Sequence, residues 1–219
     1  MEQGRGIDKI WTIQLMLAMR RLITMAMWQS YLAADDIDAM VKAIDRASFE
    51  VRPKSPQSFP IVKKHCRRLM THGAGVLGIP TIKLVKPYLR QIHWQRNANY
   101  RDEAFAIDYA STEFVGPYGH AYSNNLRLGM MIMGPNIHYP PHAHPAAEAY
   151  YVLGGTVRFR RTGHPWRNCP AGQFAFHQEN EVHEMVTRDA PGLLLYLWRC
   201  DVETQAQLTD YPEPQKGDL

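Results

Sequence analysis

Two regimes of hydrophobic spacing divide the chain. Apolar residues from Ile10 to Leu32 predict one long helix. Ile37, Met40, Val41 and Ile44 fall at i, i+3, i+4 and i+7, a second helix for which Asp35 is the expected cap. Pro53, Pro56 and Pro60, with two serines, mark Arg52 to Pro60 as a connector. Ser58 and Pro60 can open a third helix carrying Ile61, Val62, Cys66 and Leu69 and closing near Gly73. A further helical stretch from Thr81 to Trp94 is broken or restarted at Pro87.

After about residue 105 the pattern shortens. Leu126 to Met133, Ala149 to Leu153, Thr156 to Arg161, Gln173 to Phe176 and Leu193 to Trp198 read as strands. Between them lie the turn signals Gly134-Pro135, Gly154-Gly155, Gly163-His164-Pro165, Pro170-Ala171-Gly172 and Pro191-Gly192. Val157 and Phe159 alternate with Arg158 and Arg160, as on a half-exposed strand. The pattern predicts a mainly β protein, a sandwich or barrel over 106–202. A helical region, 1–105, packs on it, and a polar, poorly ordered tail, 203–219, follows.

Composition narrows the class. The 219 residues are 45% hydrophobic and 21% charged, ordinary for a globular protein with a sizeable core. A formal charge of +4 is mild, and Arg20-Arg21, Lys63-Lys64, Arg67-Arg68 and Arg160-Arg161 read as solvated faces. No nucleic-acid motif accompanies them, so no nucleic-acid partner is expected. Cys66, Cys169 and Cys200 are odd in number and far apart, which suits a reducing compartment rather than a disulfide framework. Arg20-Arg21 interrupt the apolar N-terminal run at its midpoint, and no small-residue cleavage site follows. The expectation is a cytoplasmic protein with no membrane partner, in which Met16, Met19, Met25 and Met27 offer an adaptable surface for a homodimer contact.

The candidate chemistry sits in Tyr139-Pro140-Pro141-His142-Ala143-His144-Pro145-Ala146-Ala147-Glu148-Ala149-Tyr150. The prolines disfavour a helix, and on an extended segment residues 142, 144, 148 and 150 share a face. Imidazole and carboxylate together suit one divalent transition metal ion, and zinc, iron, manganese, nickel and cobalt all accept this mixture. Seven of the ten histidines lie between 120 and 183, and the distal ligand is His183 or its competitor His177. Taken alone, Tyr150 fits a core tyrosine as well as a catalytic one, and Tyr139 and Trp198 read first as core.

The arrangement resembles the cupin superfamily. Gly134, His142, His144, Glu148 and Gly155 follow its first motif, and Pro170, Gly172, His177 and Asn180 its second. Gly134 and His177 stand farther from their neighbours than that pattern has them. Tyr139, His142, His144, Glu148, Tyr150 and the distal His183 are similar to the cupin-type dimethylsulfoniopropionate (DMSP) lyases, which also carry a helical part ahead of the barrel. The resemblance implies a cupin (double-stranded β-helix, jelly-roll) barrel with metal ligands His144, Glu148 and His183, and His142 at or beside the metal. It implies Tyr150 as catalytic base and Tyr139 and Trp198 in the pocket. The implied reaction is β-elimination of DMSP to dimethyl sulfide and acrylate, the metal holding the substrate carboxylate. A cationic sulfur needs π faces, which Tyr139, Trp198 and Tyr122 can supply. Two other readings share the ligand set: an iron-dependent cupin oxygenase acting on a small organic acid or thiol, and a non-enzymatic small-molecule-binding cupin.

Overall fold

The computed structural model describes residues 7–26, 33–52, 54–72, 78–97, 100 and 102–210. Part of the first expected helix (27–32, with Met27), Gly73 and the tail beyond 210 lie outside the described residues.

The helical part holds α1 (Lys9–Ala26), α2 (Ala34–Arg46), a π-helical segment (Val62–Cys66) running into α3 (Arg67–His72), and α4 (Ile79–Val85). Asp35 does not cap α2. The N-cap is Ala33, without a side-chain hydrogen bond, and Asp35 and Asp36 occupy the first turn, where the helix dipole favours negative charge. The expected helix to Trp94 stops early. At Lys86 it tightens into a 3-10 turn (Lys86–Tyr88) containing Pro87, whose ring cannot continue an α-helical ladder. Beyond it the chain runs extended, and Gln95 bridges Ser111.

A short α5 (Glu103–Asp108), capped by the Asp102 carboxylate accepting from Phe105 N–H, leads into the β part. Its strands are β2 (Tyr109–Val115), β3 (Ala121–Tyr122), β4 (Arg127–Met133), β5 (His138–Ala143), β6 (Ala147–Gly154) and β7 (Thr156–Arg161). They continue as β8 (Arg167–Pro170), β9 (Phe174–His177), β10 (His183–Val186), β11 (Gly192–Arg199) and β12 (Gln207–Leu208), with β1 (Glu50–Val51) contributed by the helical part. One sheet orders β1-β3-β2-β4-β11-β6-β9, the other β12-β5-β10-β7-β8. β12 falls within the expected tail and pairs with β5, Gln207 opposite Ala143.

Strand parity explains the layers. On β6, Ala147, Ala149, Tyr151 and Leu153 join the core under the helices, while Tyr150 and Val152 join the core between the sheets. β11 does the same, with Leu193, Leu195 and Leu197 outward and Leu194, Tyr196 and Trp198 inward. Both faces are therefore covered, which is why these strands are near-continuous apolar runs rather than alternating ones. β7 has only one buried face, and Val157 and Phe159 are buried while Arg158 and Arg160 are half-exposed. The turn joining β6 to β7 depends on Gly155, at φ +78, where a Cβ would stand 2.1 Å from the Pro191 carbonyl oxygen.

Met16 and Met19 are buried in the core rather than forming a surface, because α1 packs against α2 and α4 within the helical layer. The exposed apolar residues of α1 are Ile10, Ile13 and Leu17. Among the described residues no helix is long and apolar enough to cross a membrane. Trp11 anchors α1: its ring meets Phe114 edge-on at 5.4 Å and its indole N–H donates to the Leu84 carbonyl at 2.9 Å. Trp11→Ala is expected to cost about 3–5 kcal/mol of folding stability, read as a lower urea midpoint at unchanged slope. A shift below about 1 kcal/mol would mean that the helical layer is dispensable to the barrel.

Candidate metal centre

Three elements deliver the site. His142 stands on β5 and His183 on β10, directly opposite each other across that strand pair. Glu148 and Tyr150 stand on β6 of the facing sheet. His144 lies in the short link between β5 and β6. The sequence reading put 142, 144, 148 and 150 on one extended strand; instead the chain leaves β5 after Ala143, crosses at His144-Pro145-Ala146, and restarts in the other sheet. Proline at 145 removes a ladder donor where the crossing occurs. The ligand-type side chains thus converge from two sheets.

The hydrogen bonding of the imidazoles sets their roles. Nδ1 of His142, His144 and His183 lies 2.8, 2.9 and 2.8 Å from the carbonyl oxygens of Pro140, Ala146 and Glu181. A carbonyl only accepts, so each Nδ1 donates and each Nε2 is left with its lone pair. In His144 and His183 that Nε2 is turned to Glu148 Oε2, at 3.0 and 3.4 Å. Ligand atoms of His144, Glu148 and His183 all lie within 4.8 Å of one another, and all three residues are buried. Three acceptors turned on one point, backed by outer hydrogen bonds that fix the tautomer, are the donor set of a cation site, and they suit a divalent transition metal.

His142 lies next to the triad, its ring centre 4.2 Å from that of His183. His177, the competitor, stacks flat behind His183 at 4.0 Å and 9°. It stands across the β6–β9 pair from Glu148, outside the converging triad, and burial brings its imidazole down to about 3.

A cavity of about 350 Å³ opens against this cluster, lined by His142, Glu148, Tyr139, Tyr150 and Trp198 among others. Tyr150 is buried, and burial, reinforced by the Glu148 charge, pushes its phenol well above the ordinary value. Tyr139 stacks on His142 at 4.1 Å, and Trp198 on His144 at 3.9 Å, so both rings brace imidazoles as well as lining the cavity. Tyr122 is not brought there. It sits on β3, opposite Glu50 of β1, with the Arg52 guanidinium 4.0 Å over its ring, and takes no part in lining the cavity.

Sequence reasoning missed Tyr109, Arg127, Tyr196 and Asn97, which also line the cavity. Parity along the predicted strand Leu193 to Trp198 could have found Tyr196, two residues before Trp198 and opposite Tyr150. Its ring fits because residue 129 is glycine, where a Cβ would stand 2.2 Å from Tyr196 Oη. Arg127 donates from Nε to Glu113 Oε2 at 2.6 Å and places its guanidinium 4.8 Å from the Trp198 ring. Tyr109 and Asn97 lie where no periodic pattern marks them.

Two facing β-sheets enclosing a His/Glu cluster, with a helical region ahead of them, define a cupin barrel. A family model for dimethylsulfoniopropionate lyases matches residues 33–194, and the chain belongs to that family. Among curated proteins it is 39% identical over 109 residues to the dimethylsulfoniopropionate lyase DddQ of Ruegeria pomeroyi, covering 50% of this chain and 54% of that one. The chain thus spans about half the length of the curated relative it matches. The crystal structure of DMSP lyase DddQ from Ruegeria pomeroyi superposes with a TM-score of 0.69 at 24% identity, covering 95% of this chain and 100% of that one. A structure described as belonging to the DMSP lyases RdDddP and RnDddQII superposes at 0.72 and 22% identity, covering 92% and 99%. Both share the fold.

Proposed function

We propose that the chain is a metal-dependent carbon–sulfur lyase that cleaves DMSP to dimethyl sulfide and acrylate by β-elimination. The observation that carries the reading is the placing of the Tyr150 phenol on the same face of β6 as Glu148, in the cavity that the His/Glu cluster borders. Membership of the family supports it.

A metal held by His144, Glu148 and His183, with His142 beside it, supplies Lewis-acid stabilisation of the negative charge that builds on the substrate carboxylate. The chain's own residues do the rest. Tyr150 takes the proton from the carbon next to that carboxylate. The electron pair of the broken C–H bond forms the C=C bond, and the C–S pair leaves with dimethyl sulfide. Tyr109 and Tyr196 give the sulfonium aromatic surface in place of hydrogen-bond donors it cannot use. The proton ends on the Tyr150 oxygen and is given up to solvent once product leaves, which restores the base.

The test is headspace detection of dimethyl sulfide from DMSP added to protein loaded in turn with zinc, iron, manganese, nickel and cobalt. Release with stoichiometric acrylate is expected with at least one metal. Silence with all five, together with dioxygen uptake in the iron-loaded sample, would sink the lyase reading in favour of an oxygenase.

A further inference from the structure

The cavity is roofed by residues that come from the helical part. Gln95 is tied to the rim of the barrel by a two-way backbone bridge, its N–H donating to Ser111 O at 2.7 Å and its carbonyl accepting from Ser111 N–H at 2.9 Å. Arg96 clamps the same rim, one guanidinium nitrogen donating to the carbonyls of Ile107 and Tyr109 at 2.7 and 3.0 Å. These bonds bring Asn97 over the pocket, where its side-chain amide N–H donates to the Tyr139 hydroxyl at 2.7 Å.

The direction of that bond matters. Tyr139 oxygen accepts, so its own hydrogen is not consumed by Asn97, and it meets no acceptor among the described residues. The ring cannot swing away. It lies flat on His142, tilted against Phe105 at 5.1 Å and edge-on to Tyr109 at 5.9 Å. Only rotation of the O–H is left, and an incoming N–H on the oxygen directs it away from residue 97 and into the cavity. An aspartate at 97 would do the reverse, accepting the phenolic hydrogen and withdrawing the donor.

We propose that Asn97 is a positioning residue that fixes Tyr139 as a hydrogen-bond donor to the carboxylate of the bound substrate or product. The proposal rests on the reading above that the ligand is a small carboxylate. It assigns the helical part a task at the site, the orientation of one hydroxyl across the mouth of the barrel.

The probe is sodium acrylate, titrated calorimetrically into metal-loaded wild type, N97A, Y139F and N97A/Y139F, with DMSP turnover measured on the same samples. A hydrogen bond to a charged group corresponds to a roughly 10-fold or greater change in affinity. Y139F is expected to weaken acrylate binding by about that factor and N97A by about 3-fold, with no further loss on adding N97A to Y139F. N97D, close to isosteric with asparagine, keeps the roof in place if N97A loosens it, and should fall to the level of Y139F or below. Additive losses in the double variant, or N97A and N97D both binding acrylate as wild type does, overturn the proposal. Coupled acrylate binding in a protein that does not cleave DMSP would sustain the role of Asn97 and sink the lyase reading. Turnover of DMSP with no coupling would do the opposite.

Discussion

Tyr150→Phe is expected to abolish elimination while leaving the metal in place. The substitution deletes one oxygen from a buried ring on β6, between β11 and β9, and the ring keeps its packing against Phe159, centroids 5.4 Å apart. None of the three converging ligand groups is itself replaced, although Glu148 loses the phenol oxygen beside it. General-base catalysis contributes roughly 10²- to 10⁴-fold, so kcat for dimethyl sulfide release should fall by at least that range. Metal content by mass spectrometry should stay stoichiometric. The sign of the phenol's environment adds a second arm. Without a cation, burial and the Glu148 carboxylate both oppose phenolate, so a base at Tyr150 would need a dication beside it to ionise. Metal-free wild type and metal-loaded Tyr150→Phe should therefore be inert for different reasons, and only the first is rescued by adding metal. A Tyr150→Phe protein that keeps near-normal turnover removes the residue from the base role.

The parts of this site legible in the sequence were those set by local periodicity. Glu148 and Tyr150 are two residues apart inside one uninterrupted apolar strand, so parity alone put them on one face. The strand runs around β4, β7 and β11 were marked by glycine- and proline-rich turns. What the sequence could not carry was how the chain crosses between sheets. His142 and His144 have the same i, i+2 spacing, yet one ends up on β5 and the other in the crossing to β6, because the break at Pro145 looks locally like any extended X-Pro step. Tyr122 went astray for a similar reason: a tyrosine among turn residues carries no sign of which strand will pair with it, here β1 from the helical part. Asn97 reaches the cavity through the bridge of Gln95 to Ser111 and the Arg96 bonds beside it, non-local pairings with no periodic signature. The long apolar runs of β6 and β11 did hold a clue to the helical layer, since a strand without polar alternation needs cover on both faces.

Stripping the metal should cost stability as well as activity. His144, Glu148 and His183 turn their ligand atoms toward one another from a loop and two different sheets, with relative exposures of 2%, 1% and 0%. Among the described residues His183 Nε2 has no hydrogen-bond partner, and its Nδ1 hydrogen is already spent on the Glu181 carbonyl. A buried lone pair facing a carboxylate is unfavourable, and a dication turns that repulsion into attraction. Binding to the folded chain alone stabilises by RT ln(1 + [L]/Kd), about 4 kcal/mol when free metal is a thousandfold above Kd. A chelator should then lower the thermal midpoint by several degrees, and restoring metal should bring it back in step with its concentration. His183→Ala tests whether this effect belongs to the triad. It removes the ligand that ties β10 to β6, so its thermal midpoint should start low and no longer respond to chelator or metal, while wild type responds to both. His177→Ala, altering only the ring stacked behind His183, should keep the response to metal. If His177→Ala loses that response and His183→Ala keeps it, the last ligand is His177 and the centre lies one strand away from where the converging Nε2 atoms put it.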